Sequence, residues 1–107
     1  MSYNIIITKG FERDSKALLK KYPSLKTDLS YLTESLEIEP KQGQPLGMDC
    51  YKIRISITSK GKGKSGGARI ITCVKIASDN VFLLTIYDKS QKEDLSDKEL
   101  KELLRHL

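Results

Sequence analysis

Tyr51-Lys-Ile-Arg-Ile-Ser-Ile57, Lys60-Gly-Lys-Gly-Lys-Ser-Gly-Gly67 and Arg69-Ile-Ile-Thr-Cys-Val-Lys-Ile76 follow one another in the middle of a chain of 107 residues. The first stretch alternates apolar and polar side chains, the mark of a strand with one buried face. The second is a solvated loop of turn-forming residues. The third is β-branched and reads as a second strand. Together they make a hairpin, and its charge is as distinctive as its pattern. Cys50 to Ser78 contains Lys52, Arg54, Lys60, Lys62, Lys64, Arg69 and Lys75 and no acidic residue. The whole chain has 19 Lys and Arg against 14 Asp and Glu, so without these cations the remainder is slightly acidic. A basic hairpin with a cationic tip calls for a polyanionic partner.

Outward from the hairpin, Tyr3 to Thr8, with Ile5, Ile6 and Ile7, reads as a short buried strand. Phe11, Leu18, Leu19 and Tyr22 lie on one helical face, and Pro23 ends that helix. Ser24 is placed to cap a second helix, along which Leu25, Leu29, Leu32 and Leu36 repeat at helical spacing. The short connection predicts an antiparallel helical hairpin. Glu39 to Asp49, with Pro40, Gly43, Pro45 and Gly47, reads as a loop. After a turn at Asp79-Asn80, Val81 to Tyr87 is apolar almost throughout, as in a strand buried on both faces. Ser96-Asp-Lys-Glu99 is a capping box opening a last helix with Leu100, Leu103, Leu104 and Leu107 on one face. The predicted order is β-α-α-β-β-β-α over a single domain, residues 1–107. That is an α+β fold with an antiparallel-rich sheet and its helices on one face.

Composition excludes several classes. The apolar fraction of 38% and charged fraction of 31% fit a folded globular chain. No apolar run approaches the roughly 20 residues of a membrane span. Met1-Ser-Tyr-Asn4 lacks the basic start of a signal peptide, so the expected compartment is the cytoplasm, without membrane contact. Cys50 and Cys73 form no C-x-x-C and have no histidine nearby, and read as buried structural thiols rather than metal ligands. Gly61-Lys-Gly-Lys-Ser-Gly66 matches G-x-G-x-x-G, but a strand follows where a dinucleotide site needs a helix. Thr58 stands where a Walker A motif needs its first glycine. No cofactor is expected. His106, beside Leu107, is set aside as a catalytic group.

Strand alternation then sorts the cations. Tyr51, Ile53, Ile55 and Ile57 share one face, and Lys52 and Arg54 share the other. On the next strand Ile70, Val74 and Ile76 face the core, while Arg69, Ile71, Cys73 and Lys75 point the opposite way. Paired antiparallel, the strands present Lys52, Arg54 and Arg69 on one sheet face, expected to be open. Cations so gathered repel one another, and a phosphate backbone would relieve that.

Tyr51-Lys-Ile-Arg54, the glycine tip, Gly67-Ala-Arg-Ile-Ile71 and Tyr87-Asp-Lys-Ser-Gln-Lys-Glu-Asp-Leu-Ser96 ahead of a terminal helix resemble the RelE/HigB family of type II toxin–antitoxin toxins. The resemblance spans essentially the whole chain, and the Lys/Gly-rich insertion looks most like the HigB-type branch. It implies a small microbial RNase fold that enters the ribosomal A site and cuts mRNA there, held inactive by a cognate antitoxin of helix-turn-helix type. The implied chemistry is attack of a ribose 2′-OH on the adjacent phosphate, without a metal. By the same resemblance Lys52 and Arg54 fall on the family's basic strand positions. Arg69 falls on the arginine that holds the scissile phosphate, and Lys89 on a later basic position. Lys60, Lys62, Lys64 and Lys75 are expected to contact RNA or ribosome. Some members have Lys at the position of Arg54, as general base. Arginine keeps its proton, so Lys52, with neighbouring cations to lower its pKa, is the better candidate. Where the family often carries a C-terminal Tyr or His this chain reads Asp94-Leu95-Ser96, and Tyr87 is the tyrosine nearby. Two rival readings remain: a ParE-like relative acting on DNA gyrase, and a non-catalytic RNA- or ribosome-binding module.

Overall fold

The computed structural model describes residues 2–61, 63, 66–92 and 94–107. The chain runs through β1 (Asn4–Ile7), α1 (Lys9–Lys21), α2 (Leu25–Ile38), β2 (Gln44–Gly47), β3 (Cys50–Ile55), β4 (Ala68–Lys75), β5 (Asn80–Asp88) and α3 (Asp97–Leu104), with single 3-10 turns at Thr58–Lys60 and Ile76–Ser78. The strands form one sheet in the order β1-β5-β4-β3-β2. β1 runs parallel to β5, and the other neighbours are antiparallel. The α+β reading holds, with one strand more than expected. Gln44–Gly47 pairs antiparallel with β3 at the sheet edge, although its Pro45 and flanking glycines read as loop. An edge position tolerates a proline because one side of the strand needs no donor.

Local signals explain the helices. Thr8 caps α1, its Oγ1 accepting from Phe11 N at 3.2 Å. Ser96 and Glu99 close the capping box of α3, Glu99 N donating to Ser96 Oγ at 3.1 Å and Ser96 N to Glu99 Oε1 at 3.0 Å. Ser24 precedes α2 without capping it by a side-chain bond. Its hydroxyl instead accepts from Ser59 N at 2.8 Å, and Asp28 Oδ1 and Oδ2 accept from Thr58 Oγ1 and N, so the exit of β3 is tied to the helical hairpin.

Two apolar layers flank the sheet. Phe11 and Leu18 of α1 and Leu25, Leu32 and Leu36 of α2 pack on Ile53, Ile70, Val81, Leu83 and Ile86. On the other face Cys50, Ile71, Cys73, Leu84 and Tyr87 are covered by Leu100, Leu103 and Leu104 of α3. The helices therefore lie on both faces, not one. The reason is legible in hindsight: Ile71 and Cys73 alternate with the first core and leave an apolar patch that needs its own cover. β5 is buried on both faces as expected, and β4 is buried at every position but Lys75. Ile76, expected in the core, ends in the 3-10 turn and is about half exposed.

A β-bulge decides what β5 shows to each face. Ile71 pairs with Thr85, but the next residue, Thr72, pairs with Leu83, so Leu84 is the extra residue. Before the bulge Val81 and Leu83 face α1 and α2; after it Ile86 does, and Tyr87 turns to the α3 side. Strict alternation would put Tyr87 with Val81 and Leu83.

Candidate active site

The β3–β4 register sets Lys52 opposite Ile71 and Arg54 opposite Arg69. Val74 N donates to Asp49 O at 2.9 Å. That makes Asp49 and Val74 a hydrogen-bonded pair, so the alternate pairs Cys50–Cys73, Lys52–Ile71 and Arg54–Arg69 are of the non-hydrogen-bonded kind, with the closer side chains. Gly67 fixes this register: a Cβ there would run into the backbone carbonyl of Ile55, so β4 enters flush against the end of β3. On the other side of β4, Arg69 pairs with Tyr87, which the bulge has turned to the same face. Register and bulge together gather Lys52, Arg54, Arg69 and Tyr87.

The face is not open, as the sequence predicted, because α3 and the chain leading into it lie over it. Arg54 is exposed, but Arg69 is only 3% exposed, its Nη1 donating to Ala68 O at 3.2 Å. Lys52 is largely covered, and its Nζ lies 3.2 Å from Asp94 Oδ1. Its ammonium thus meets a carboxylate, where the sequence reading invoked neighbouring cations. Leu95 N donates to that same oxygen at 2.8 Å. This backbone bond, then Lys52, and the nearby charge of Lys89 hold Asp94 below the usual carboxylate range.

Tyr87 is buried, and its hydroxyl has no hydrogen-bond partner among the described residues. Burial pushes its pKa up, the charges of Asp94 and Glu99 push it further, and Arg69 pulls it down. Lys92 lies 5.9 Å from the ring centre and pairs with Glu99. Lys89 is half-buried, its backbone N donating to Gly67 O at 3.1 Å.

The remaining predicted contacts scatter. Lys60 is not solvated at a loop tip. It closes the Thr58–Lys60 turn, its Nζ lies 2.6 Å from Asp88 Oδ1, and it stands over the ring of Tyr22. Tyr22 Oη donates to Asp88 Oδ2 at 3.0 Å, so this network sits on the α1 side of the sheet, away from Lys52 and Arg69. Lys62 and Lys64 lie outside the described residues. Lys75 is exposed at the far end of β4, 3.9 Å from Asp49. Sequence reasoning missed Asp94 as the partner of Lys52 and Asp88 as the partner of Lys60. An aspartate ending an otherwise apolar strand was the available signal for Asp88.

Among the described residues no three His, Cys, Asp or Glu side chains are grouped to hold a metal, and no helix is long and apolar enough to cross a membrane.

Comparison with known proteins shows the family and the fold. The model of a family described as the RelE toxin of the RelE/RelB toxin–antitoxin system matches residues 6–106. Among solved structures, the chain is similar to the free Escherichia coli toxin RelE carrying two arginine-to-alanine substitutions. The TM-score is 0.64 at 18% identity, covering 100% of this chain and 99% of that one. It is similar to the isolated E. coli RelE toxin, at TM-score 0.60 and 21% identity, covering 99% and 100%. A third similar structure is the toxin–antitoxin complex RelBE2 of Mycobacterium tuberculosis, at TM-score 0.57 and 15% identity, covering 82% and 99%. At these identities the structures speak to the fold.

Proposed function

Because this chain belongs to the RelE toxin family, we propose that it is a ribosome-dependent mRNA endonuclease, restrained by a cognate antitoxin, that cleaves RNA by 2′-OH attack on the adjacent phosphate. The observation that carries the reading is the convergence of Lys52, Arg54, Arg69 and Tyr87 through the β3–β4–β5 register.

The chemistry follows from charge. In the transition state the non-bridging phosphate oxygens become more negative, and Arg54 and Arg69 supply a forked set of donors for them. Lys52 and Tyr87 are the groups at hand for the proton transfers, Lys52 as an ammonium donor while Asp94 holds it. Tyr87, a neutral phenol placed beside Arg69, is the candidate to give its proton to the departing 5′-oxygen. With the exposed part of the site so small, free RNA is held loosely, and the ribosome supplies the positioning.

The test is purified protein with mRNA on translating ribosomes and with the same mRNA naked. Cleavage confined to the ribosomal sample, with protein synthesis stopping before DNA synthesis in pulse-labelled cells, is the expected result. Arrest of DNA synthesis first would favour action on gyrase and end the RNase reading. Equal cutting of naked RNA would end the ribosome-dependent one.

A further inference from the structure

We propose that Asp94 is a built-in stand-in for an RNA phosphate, and that by occupying Lys52 it sets the discrimination between RNA held in place and RNA free in solution. The inference rests on the RNase reading for its consequence, but its physical core is anion competition, which can be measured without cleavage.

Three observations converge on this carboxylate. Its Oδ1 lies 3.2 Å from Lys52 Nζ, and the lysine side chain is 12% exposed while that of Asp94 is 67% exposed. Asp94 is thus the outer member of the pair and covers the cation from the solvent side. Second, the same oxygen accepts from Leu95 N, so the carboxylate is oriented by the backbone just ahead of α3 and not by chance contact of two long side chains. Third, its charge reaches the other members of the site. Lys89 acts on Asp94, and Asp94 acts on the buried hydroxyl of Tyr87.

The competition follows from chemistry. A carboxylate and a phosphodiester offer the same kind of oxygen to an ammonium. Two such anions at contact distance repel, so a phosphate reaching Lys52 must displace Asp94 or accept the repulsion. Displacement is local, since the Asp94 side chain is 67% exposed. RNA already fixed beside the site can force the exchange, whereas RNA diffusing freely meets a neutralised lysine. The site therefore carries its own answer to the repulsion among its cations while no RNA is bound.

Asp94→Asn keeps the size and the acceptor for Leu95 N and removes the charge. The probe is a fully 2′-O-methylated ten-nucleotide RNA, which lacks the attacking hydroxyl, followed by fluorescence anisotropy at about 0.1 M salt, where charges within roughly 10 Å still act. Asp94→Asn should bind it on the order of 10-fold more tightly, the effect of removing one like charge at contact distance in a partly screened site. Glu34→Gln, an equal charge change on α2 across the sheet, should shift binding by less than about 2-fold. With naked mRNA, which the wild type is expected to leave nearly uncut, Asp94→Asn should give measurable cleavage. Equal affinity of Asp94→Asn and wild type would overturn the proposal, and so would equal tightening by Glu34→Gln. A collapse of kcat with unchanged binding would make Asp94 the proton acceptor instead. If the wild type cuts no RNA even on ribosomes while Asp94→Asn still binds more tightly, the RNase reading falls and the anion competition stands.

Discussion

Lys60 Nζ lies 2.6 Å from Oδ1 of Asp88, a carboxylate with no solvent exposure of its own, and the lysine is itself 10% exposed. Ser90 N and Oγ donate to the same Oδ1, and Tyr22 Oη donates to Oδ2. One buried anion thus ties the end of α1, the turn after β3 and the chain leaving β5. Removing one member of a buried pair strands the other charge, which costs about 3–5 kcal/mol. Lys60→Ala should lose that much in urea unfolding, a large share of the roughly 5–15 kcal/mol that holds such a domain together. A loss of ribosome binding in this variant should then track unfolding. An unchanged urea midpoint would show that Lys60 is free to serve RNA after all.

The same network predicts acid sensitivity. Burial works against ionisation of Asp88, but Lys60, both Ser90 donors and Tyr22 outweigh it and hold the carboxyl well below the usual range. The folded protein therefore favours the ionised form more than the unfolded chain does. Stability from this group is complete above about pH 5 and is lost as pH falls through and below the ordinary aspartate value near 4. Asp88→Asn should be less stable than wild type at neutral pH, and the gap should narrow steadily between about pH 4 and pH 2. A gap that stays constant across that range would mean Asp88 contributes by packing alone.

How far the sequence carried the reading is clearest at particular residues. Lys52, Arg54 and Arg69 could be put on one face because alternation is a local rule, and β3 and β4 obey it. Tyr87 could not, because the bulge at Leu84 that turns it is a property of the β4–β5 ladder. β2 was hidden by Gly43, Pro45 and Gly47, all loop residues; its place comes from backbone pairing with β3, not from its side chains. Lys60 looked solvated because Asp88 lies 28 positions along the chain, beyond any local pattern. The covering of the site by α3 followed from apolar residues already noticed, Ile71 and Cys73, whose need for a partner layer outweighed the expectation of an open face.

The cysteines offer a probe of that cover. Cys50 and Cys73 face each other across β3 and β4 and are fully buried in the layer beneath α3. Burial first, then Cys73, pushes the Cys50 thiol up to about 12. At pH 8 its reactive thiolate is then a very small fraction. Ellman's reagent should leave Cys50 almost untouched in the native protein, while both thiols react promptly in denaturant. Lifting α3 by Leu100→Ala should raise the native labelling rate. Rapid labelling of the unmodified protein would mean that this layer is open in solution.

Tyr87 separates stability from activity. Its hydroxyl is buried beside Arg69 with no hydrogen-bond partner among the described residues, and an unsatisfied buried hydroxyl costs about 1–3 kcal/mol. Tyr87→Phe keeps the ring against Leu100 and deletes only the oxygen. It should therefore be as stable as wild type or more stable by about 1 kcal/mol in urea unfolding. If the phenol gives its proton to the departing oxygen, single-turnover cleavage on saturating ribosomes should fall by roughly 100-fold or more. Arg69→Ala is the contrasting variant, because it removes a buried charge and its donors, so rate and stability should both change. Arg69→Lys, which keeps the charge but loses the fork, should recover stability more than rate. A Tyr87→Phe protein that unfolds earlier yet cuts at the wild-type rate would place the hydroxyl in the fold and remove it from the chemistry.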